Sequence, residues 1–259
     1  MSALLQVRGL SKRFGGLWAV KDLDLELHQG RIMGLIGPNG AGESTAFNLI
    51  SGALEPTAGS VVFEGREIAG QRPSQVVRHG LARTFQSASV YAHASVQDNV
   101  YRGAISRLGV PAWAQLAGTA AYRKALRAVH HEVDEILEIT GLASLRHQTA
   151  GALAYGHQKR IGVAIGLATR PRLLLLDEPA AGLNPEECAS FGRLLTTLRD
   201  RHGLSLLFVE HHMALVMGIC EQIVVLVQGQ KIASGTPAEI RNNPAVIEAY
   251  LGVPADAHA

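Results

Sequence analysis

The chain has 259 residues, 47% hydrophobic and 18% charged, with a formal net charge of +2. That balance excludes a disordered chain, which needs low hydrophobicity with high net charge, and it allows one large domain or two unequal ones. With 5% aromatic residues and so small a charge, composition gives no basis for a nucleic-acid-binding surface.

In chain order, 31–37 (RIMGLIG) reads as a near-continuous apolar strand entering a Gly-rich loop. VVFEG at 61–65 reads as a strand followed by a Gly turn. Between about Val90 and Ala152 no strand pattern stands out. There Leu126, Val129, Val133, Ile136 and Leu137 follow helical spacing, which predicts a helical subdomain over 90–152. The stretch RGAISRLGVPAWAQLAG fits no single element. LLLLDE at 173–178 is apolar up to its acids, as expected of a strand buried on both faces. SLLFVE at 205–210 and QIVVLVQ at 222–228 read alike, the latter forming a hairpin with KIASG through Gln228, Gly229 and Gln230. The tail TPAEIRNNPAVIEAYLG predicts short helices broken by Pro244. The expectation is an α/β core over 1–89 and 153–259 with a mainly parallel sheet, into which 90–152 is inserted.

Cys188 and Cys220 are far apart and match no metal or disulfide spacing, which points to a reducing compartment and to buried small hydrophobes. The 11 histidines form no metal-ligand pattern, and His130 and His131 read as solvated surface. The opening SALLQVRGLSKRF lacks the layout of a signal peptide, and no apolar run approaches the roughly 18 residues of a spanning helix. Yet mean hydropathy is +0.13, an apolar surplus that has to be placed.

The segment from Gly37 to Thr45, GPNGAGEST, lies between a strand and a helix-like run. It follows the phosphate-loop spacing G-x-x-x-x-G-K-[ST] at Gly37, Gly42 and Ser44. Backbone N–H groups of such a loop form an anion nest, and a serine hydroxyl there suits Mg²⁺. Glu43 stands where the pattern has lysine, so the local charge changes by two units. At about 4 Å a unit-charge pair is worth ~1 kcal/mol in water and about 4 kcal/mol at an effective dielectric of about 20. Losing an attraction and gaining a repulsion therefore costs several kcal/mol. A second segment, LLLLDEP, ends a buried strand with Asp177 and Glu178, one suited to Mg²⁺ and the next to a water molecule. A third, LAYGHQ at 153–158, opens a helix with small residues, another phosphate-binding geometry. Taken alone, each has an ordinary reading: a Gly-rich turn, a solvated Asp-Glu-Pro turn, and a loop-to-helix junction.

Together, and in this order, the three segments resemble the nucleotide-binding subunit of ABC transporters over nearly the whole chain. GPNGAGES looks like Walker A, LLLLDEP like Walker B, and LAYGHQ like the family signature. Gln86 in ARTFQ resembles the Q-loop, Asn184 in AGLN the D-loop, His211 in FVEHHM the switch histidine, and Phe14 the adenine-stacking aromatic. The variants LAYG, DEPAAGLNP and VEHHMALVMGIC, with the tail, resemble the branched-chain amino-acid ATPases of that family.

The resemblance implies a P-loop NTPase fold with an N-terminal antiparallel β part, and two subunits sandwiching ATP head to tail. Gly37, Asn39, Gly40, Ala41, Gly42, Glu43, Ser44 and Thr45 would cradle phosphate. Ser44, Gln86 and Asp177 would serve Mg²⁺, Glu178 the attacking water, and His211 the γ-phosphate. Ala154, Tyr155, Gly156 and His157 would face the partner's nucleotide, with Ala154 lacking the usual serine hydroxyl. It further implies permease subunits, a separate substrate-binding protein, no nucleic acid, and a peripheral place on the cytoplasmic face of the inner membrane. Because Gln86, Asp177, Glu178 and His211 all keep the motif, Glu43 reads as an isolated change in an otherwise intact site. The alternative is a non-hydrolysing subunit that lends its signature to a partner. The apolar surplus would lie in buried strands and in a permease-docking face of 90–152.

Overall fold

A computed structural model describes residues 3–84, 90–109, 111, 113 and 116–251. The chain divides into two compact units, one of 1–83 with 172–259 and one of 84–171.

The first unit holds two sheets. β1 (Ala3–Phe14) and β2 (Leu17–His28) pair antiparallel across Gly15 and Gly16, and β4 (Ala58–Phe63) and β5 (Arg66–Glu67) extend them in the order β2-β1-β4-β5. This is the expected antiparallel part. The second sheet contains β3 (Ile32–Ile36), β6 (Leu81–Arg83), β7 (Leu173–Asp177), β8 (Ser205–Val209), β9 (Gln222–Val227) and β10 (Gln230–Gly235). Its order is β10-β9-β3-β8-β7-β6, parallel except for β10 against β9. β3, β7 and β8 are buried along their whole length, which is why they carry no polar alternation.

Helices α1 (Glu43–Ile50) and α2 (Pro73–Arg78) belong to this unit. Phe47 and Ile50 of α1 join a core with Leu5, Leu23, Phe63 and Leu175, so both sheets share one apolar interior. Strand burial thus takes up part of the apolar surplus. The β9–β10 turn is Gln228-Gly229 alone, both at positive φ, and Gln230 already belongs to β10. The tail forms the expected short helices, parted at Pro244, which opens the second because proline's fixed φ suits the first helical turn, where its missing N–H is not needed.

The second unit is helical, with α3 (Val96–Ile105), α4 (Ala120–Ile139) and α5 (Tyr155–Leu167). Val96 and Val100, Val133 and Leu137, and Ile161 and Ala164 form its core. Gly103 lets α3 approach α5: a Cβ there would lie 2.7 Å from the Ile165 carbonyl oxygen. That packing places α5 in this unit, which extends past 90–152 at both ends. Much of RGAISRLGVPAWAQLAG lies outside the described residues. His130 and His131 are exposed as expected, and His130 stacks on Tyr101 at 4.9 Å.

The first unit continues with α6 (Pro185–His202), α7 (Met213–Ile219), α8 (Pro237–Arg241) and α9 (Pro244–Leu251). Among the described residues no helix is long and apolar enough to cross a membrane.

Candidate functional site

The site grows from the C-terminal ends of β3, β7 and β8, where ligands of open α/β sheets bind. After β3 the chain turns sharply. A Cβ on Gly37 would lie 2.4 Å from the Leu226 carbonyl oxygen, and one on Gly42 would lie 2.4 Å from that of Ala19. Gly42, at φ 108°, caps α1 in a conformation that other residues avoid. The Ala41 N–H donates to the Pro38 carbonyl at 2.9 Å, the Gly229 N–H to the Ala41 carbonyl at 2.8 Å, and the Lys21 N–H to the Gly229 carbonyl at 2.8 Å. Glycines and backbone bonds therefore shape this loop, whatever side chain residue 43 carries. Asn39, Gly40 and Ser44 are exposed, and Thr45 is half-buried.

Glu43 is only 5% exposed. Its side chain folds back toward the start of the loop, with Oε1 3.0 Å from the point a Gly37 Cβ would occupy. That oxygen has no hydrogen-bond partner among the described residues. Burial pushes the Glu43 carboxyl above its ordinary pKa, and the Glu178 charge adds to this. The N–H groups of Glu43 and Gly42 and the His211 ring pull the other way, and burial prevails.

Asp177 closes β7 and is 6% exposed. Arg83, at the end of β6, donates to Asp177 Oδ2 at 2.7 Å, to Asn48 Oδ1 at 2.6 Å and to Ser51 Oγ at 3.0 Å. Asp177 Oδ1 is buried without a partner among the described residues. Glu178 has φ 46°, a left-handed conformation uncommon outside glycine and a mark of sites held under constraint. His211 Nε2 lies 3.5 Å from Glu178 Oε1. Among the described residues no group of three or more His, Cys, Asp and Glu forms a metal cluster. The orphaned Asp177 oxygen and the exposed Ser44 hydroxyl nevertheless fit a Mg²⁺ ion that draws its other ligands from phosphate and water.

Phe14, half exposed at the end of β1, has the Lys12 ammonium 5.3 Å from its ring centroid. Asn184 caps α6 by accepting the Glu187 N–H at 2.9 Å, while Glu187 accepts the Asn184 N–H at 3.0 Å. Gln86 lies outside the described residues. In the second unit Ala154 is the extended N-cap of α5 and makes no side-chain cap. Tyr155 is exposed beside Lys159, Gly156 follows, and the buried His157 Nδ1 has no partner among the described residues. The first turn of α5 therefore keeps its N–H groups free of side-chain capping.

Two residues of the site escape motif reading, Arg83 and Glu210. For Glu210 the signal is a single charge directly after an apolar run, which once buried must find partners; for Arg83, at the end of the three-residue β6, the sequence offers none.

The family model for ABC transporters matches residues 20–181, and the model for the branched-chain amino acid ATP-binding cassette transporter matches 230–256. The chain is 43% identical over 249 residues to the high-affinity branched-chain amino acid transport ATP-binding protein LivG of Salmonella typhimurium, covering 96% of this chain and 98% of the relative. It is 41% identical over the same length and coverage to BraF of Pseudomonas aeruginosa, described in the same words. Among solved structures it is similar to the ADP conformation of MJ1267, an ATP-binding cassette of an ABC transporter, with a TM-score of 0.85, 28% identity, and 98% of this chain and 100% of that one covered.

Proposed function

Because this chain belongs to the ABC transporter ATPase family, we propose that it is the ATP-binding subunit of an importer for branched-chain or similar small amino acids, with its own nucleotide site impaired by Glu43. The substrate class rests on the relatives and on the match of the tail. The impairment rests on one observation: a buried carboxylate with an unpartnered oxygen inside the phosphate loop.

Two copies, or this chain and a homologue, pair head to tail beneath permease subunits at the inner membrane, and a separate binding protein delivers the amino acid. Phe14 stacks the adenine. The N–H groups of the loop from Gly37 to Thr45 hold the phosphates, against the opposing charge of Glu43. Ser44, Gln86 and Asp177 would hold Mg²⁺, which would supply charge neutralisation at the phosphates. Glu178 orients and deprotonates the attacking water, and His211 contacts the γ-phosphate. The uncapped start of α5, Ala154 to His157, faces the partner's nucleotide.

The test is to assemble the chain and its Glu43→Lys variant with the permeases and measure ATP hydrolysis and nucleotide binding. The lysine form is expected to bind and turn over at least tenfold better, since 1.4 kcal/mol already equals a factor of ten. Equal turnover by both forms overturns the impairment. Absent binding in both favours the non-hydrolysing reading, in which only the signature serves a partner.

A further inference from the structure

Glu210 follows the wholly buried strand β8 and is itself 2% exposed. Its Oε1 accepts the Ala180 N–H at 2.5 Å, while its Oε2 accepts the N–H groups of His211 at 3.0 Å and His212 at 3.2 Å. One carboxylate oxygen thus holds the segment after Glu178, and the other holds the segment carrying His211. The Glu178 N–H also donates to the carbonyl of Val209, the residue just before Glu210, at 3.0 Å. Below them Ala180, Cys188 and Leu215 form a small core. There His212 Nδ1 accepts the Leu215 N–H at 3.3 Å and lies 3.5 Å from Cys188 Sγ.

We propose that Glu210 is a positioning residue that latches the Glu178 loop to the His211 loop. Glu178 and His211 project from irregular backbone, so their 3.5 Å separation depends on how the two backbones are tied. A carboxylate is the one side chain of this reach that accepts on both oxygens at once. Glutamine turns an N–H toward one loop, where only an acceptor fits. Aspartate accepts on both sides but is one methylene shorter. The inference rests on the proposed roles of Glu178 and His211, and a displacement of about 1 Å at such a pair costs on the order of a hundredfold in rate.

The test uses the full chain with Glu43→Lys, assembled with its permeases. Adding Glu210→Gln is expected to lower kcat for ATP hydrolysis by about tenfold or more while KM for ATP stays within about twofold, with Glu210→Asp in between. Unchanged kcat in a folded Glu210→Gln protein, or kcat and KM moving together, overturns the latch. A second arm uses the chain with Glu43 in place. Hydrogen exchange at the Ala180, His211 and His212 amides is expected to be slow and to speed up on at least one loop in Glu210→Gln. Fast exchange at these amides in the parent chain overturns the latch whatever the turnover. If Glu43→Lys alone restores no hydrolysis, the functional reading fails and the exchange arm still decides the latch. If Glu210→Gln does not fold, parent-chain exchange and the Glu210→Asp kinetics decide it.

Discussion

Arg83 and Asp177 form a buried ion pair, 2.7 Å apart, between the ends of neighbouring parallel strands. The same guanidinium ties down Asn48 of the helix that follows the phosphate loop and Ser51 just past its end. Breaking such a pair from one side leaves an uncompensated charge, which typically costs about 3–5 kcal/mol. Arg83→Ala is therefore expected to lose that much stability in urea unfolding. The double variant Arg83→Ala, Asp177→Asn should recover part of it, because the stranded charge is gone.

Hydrolysis and binding are expected to separate at Glu178. In a chain carrying Glu43→Lys, Glu178→Gln keeps the side chain's shape and removes its basicity. Turnover should fall by about 10²–10⁴, the usual worth of a positioned general base. Affinity for a fluorescent ATP analogue should stay within about twofold of the Glu43→Lys chain.

The buried Glu43 carboxyl makes stability pH-dependent with a known sign. Its native pKa is raised, so the folded chain holds a proton where the unfolded chain has released it. The stability this gives is fully present below pH 4.5, the ordinary value, and is lost as pH rises through the raised one. Glu43→Gln, which cannot ionise, is expected to be more stable than the parent at neutral pH. That advantage should shrink as pH falls toward 4.5 in paired denaturation curves.

Tyr250 of α9 offers an independent reporter. Partial desolvation of a side chain that is still 39% exposed, and next the charge of Glu43, push its phenol up to about 12. Glu43→Gln is expected to lower the Tyr250 pKa and Glu43→Lys to lower it further, read from the ring resonances of labelled tyrosine. The shift should remain partly in place in both variants, because desolvation is the larger cause.

The buried strands were legible because each is a short, unbroken apolar run ended by a glycine or an acid, as in RIMGLIG and LLLLDE. The phosphate loop was legible because its spacing has a backbone reason. β6 was not: three residues, Leu81–Arg83, are too few to show a period, and their strand character comes from pairing with β7. The division of the tail into two short helices was legible because Pro244 cannot continue one helix but suits the start of the next. Arg83 and Glu210 lie within the stretches ARTFQ and FVEHHM, but the motifs single out Gln86 and His211 there, and the partners that give Arg83 and Glu210 their roles are far along the chain or are backbone N–H groups that no sequence displays.

Gly229 stitches β2 to the phosphate loop through Lys21 and Ala41, and the stretch matching the branched-chain transporters begins at the very next residue. Loop and tail therefore meet at a seam one residue wide. A chimera that exchanges tails between cassettes at 229/230 would cut through that seam. A graft meant to leave the nucleotide loop undisturbed keeps Leu226 and Gly229 with the loop and needs its junction after β10, which ends at Gly235.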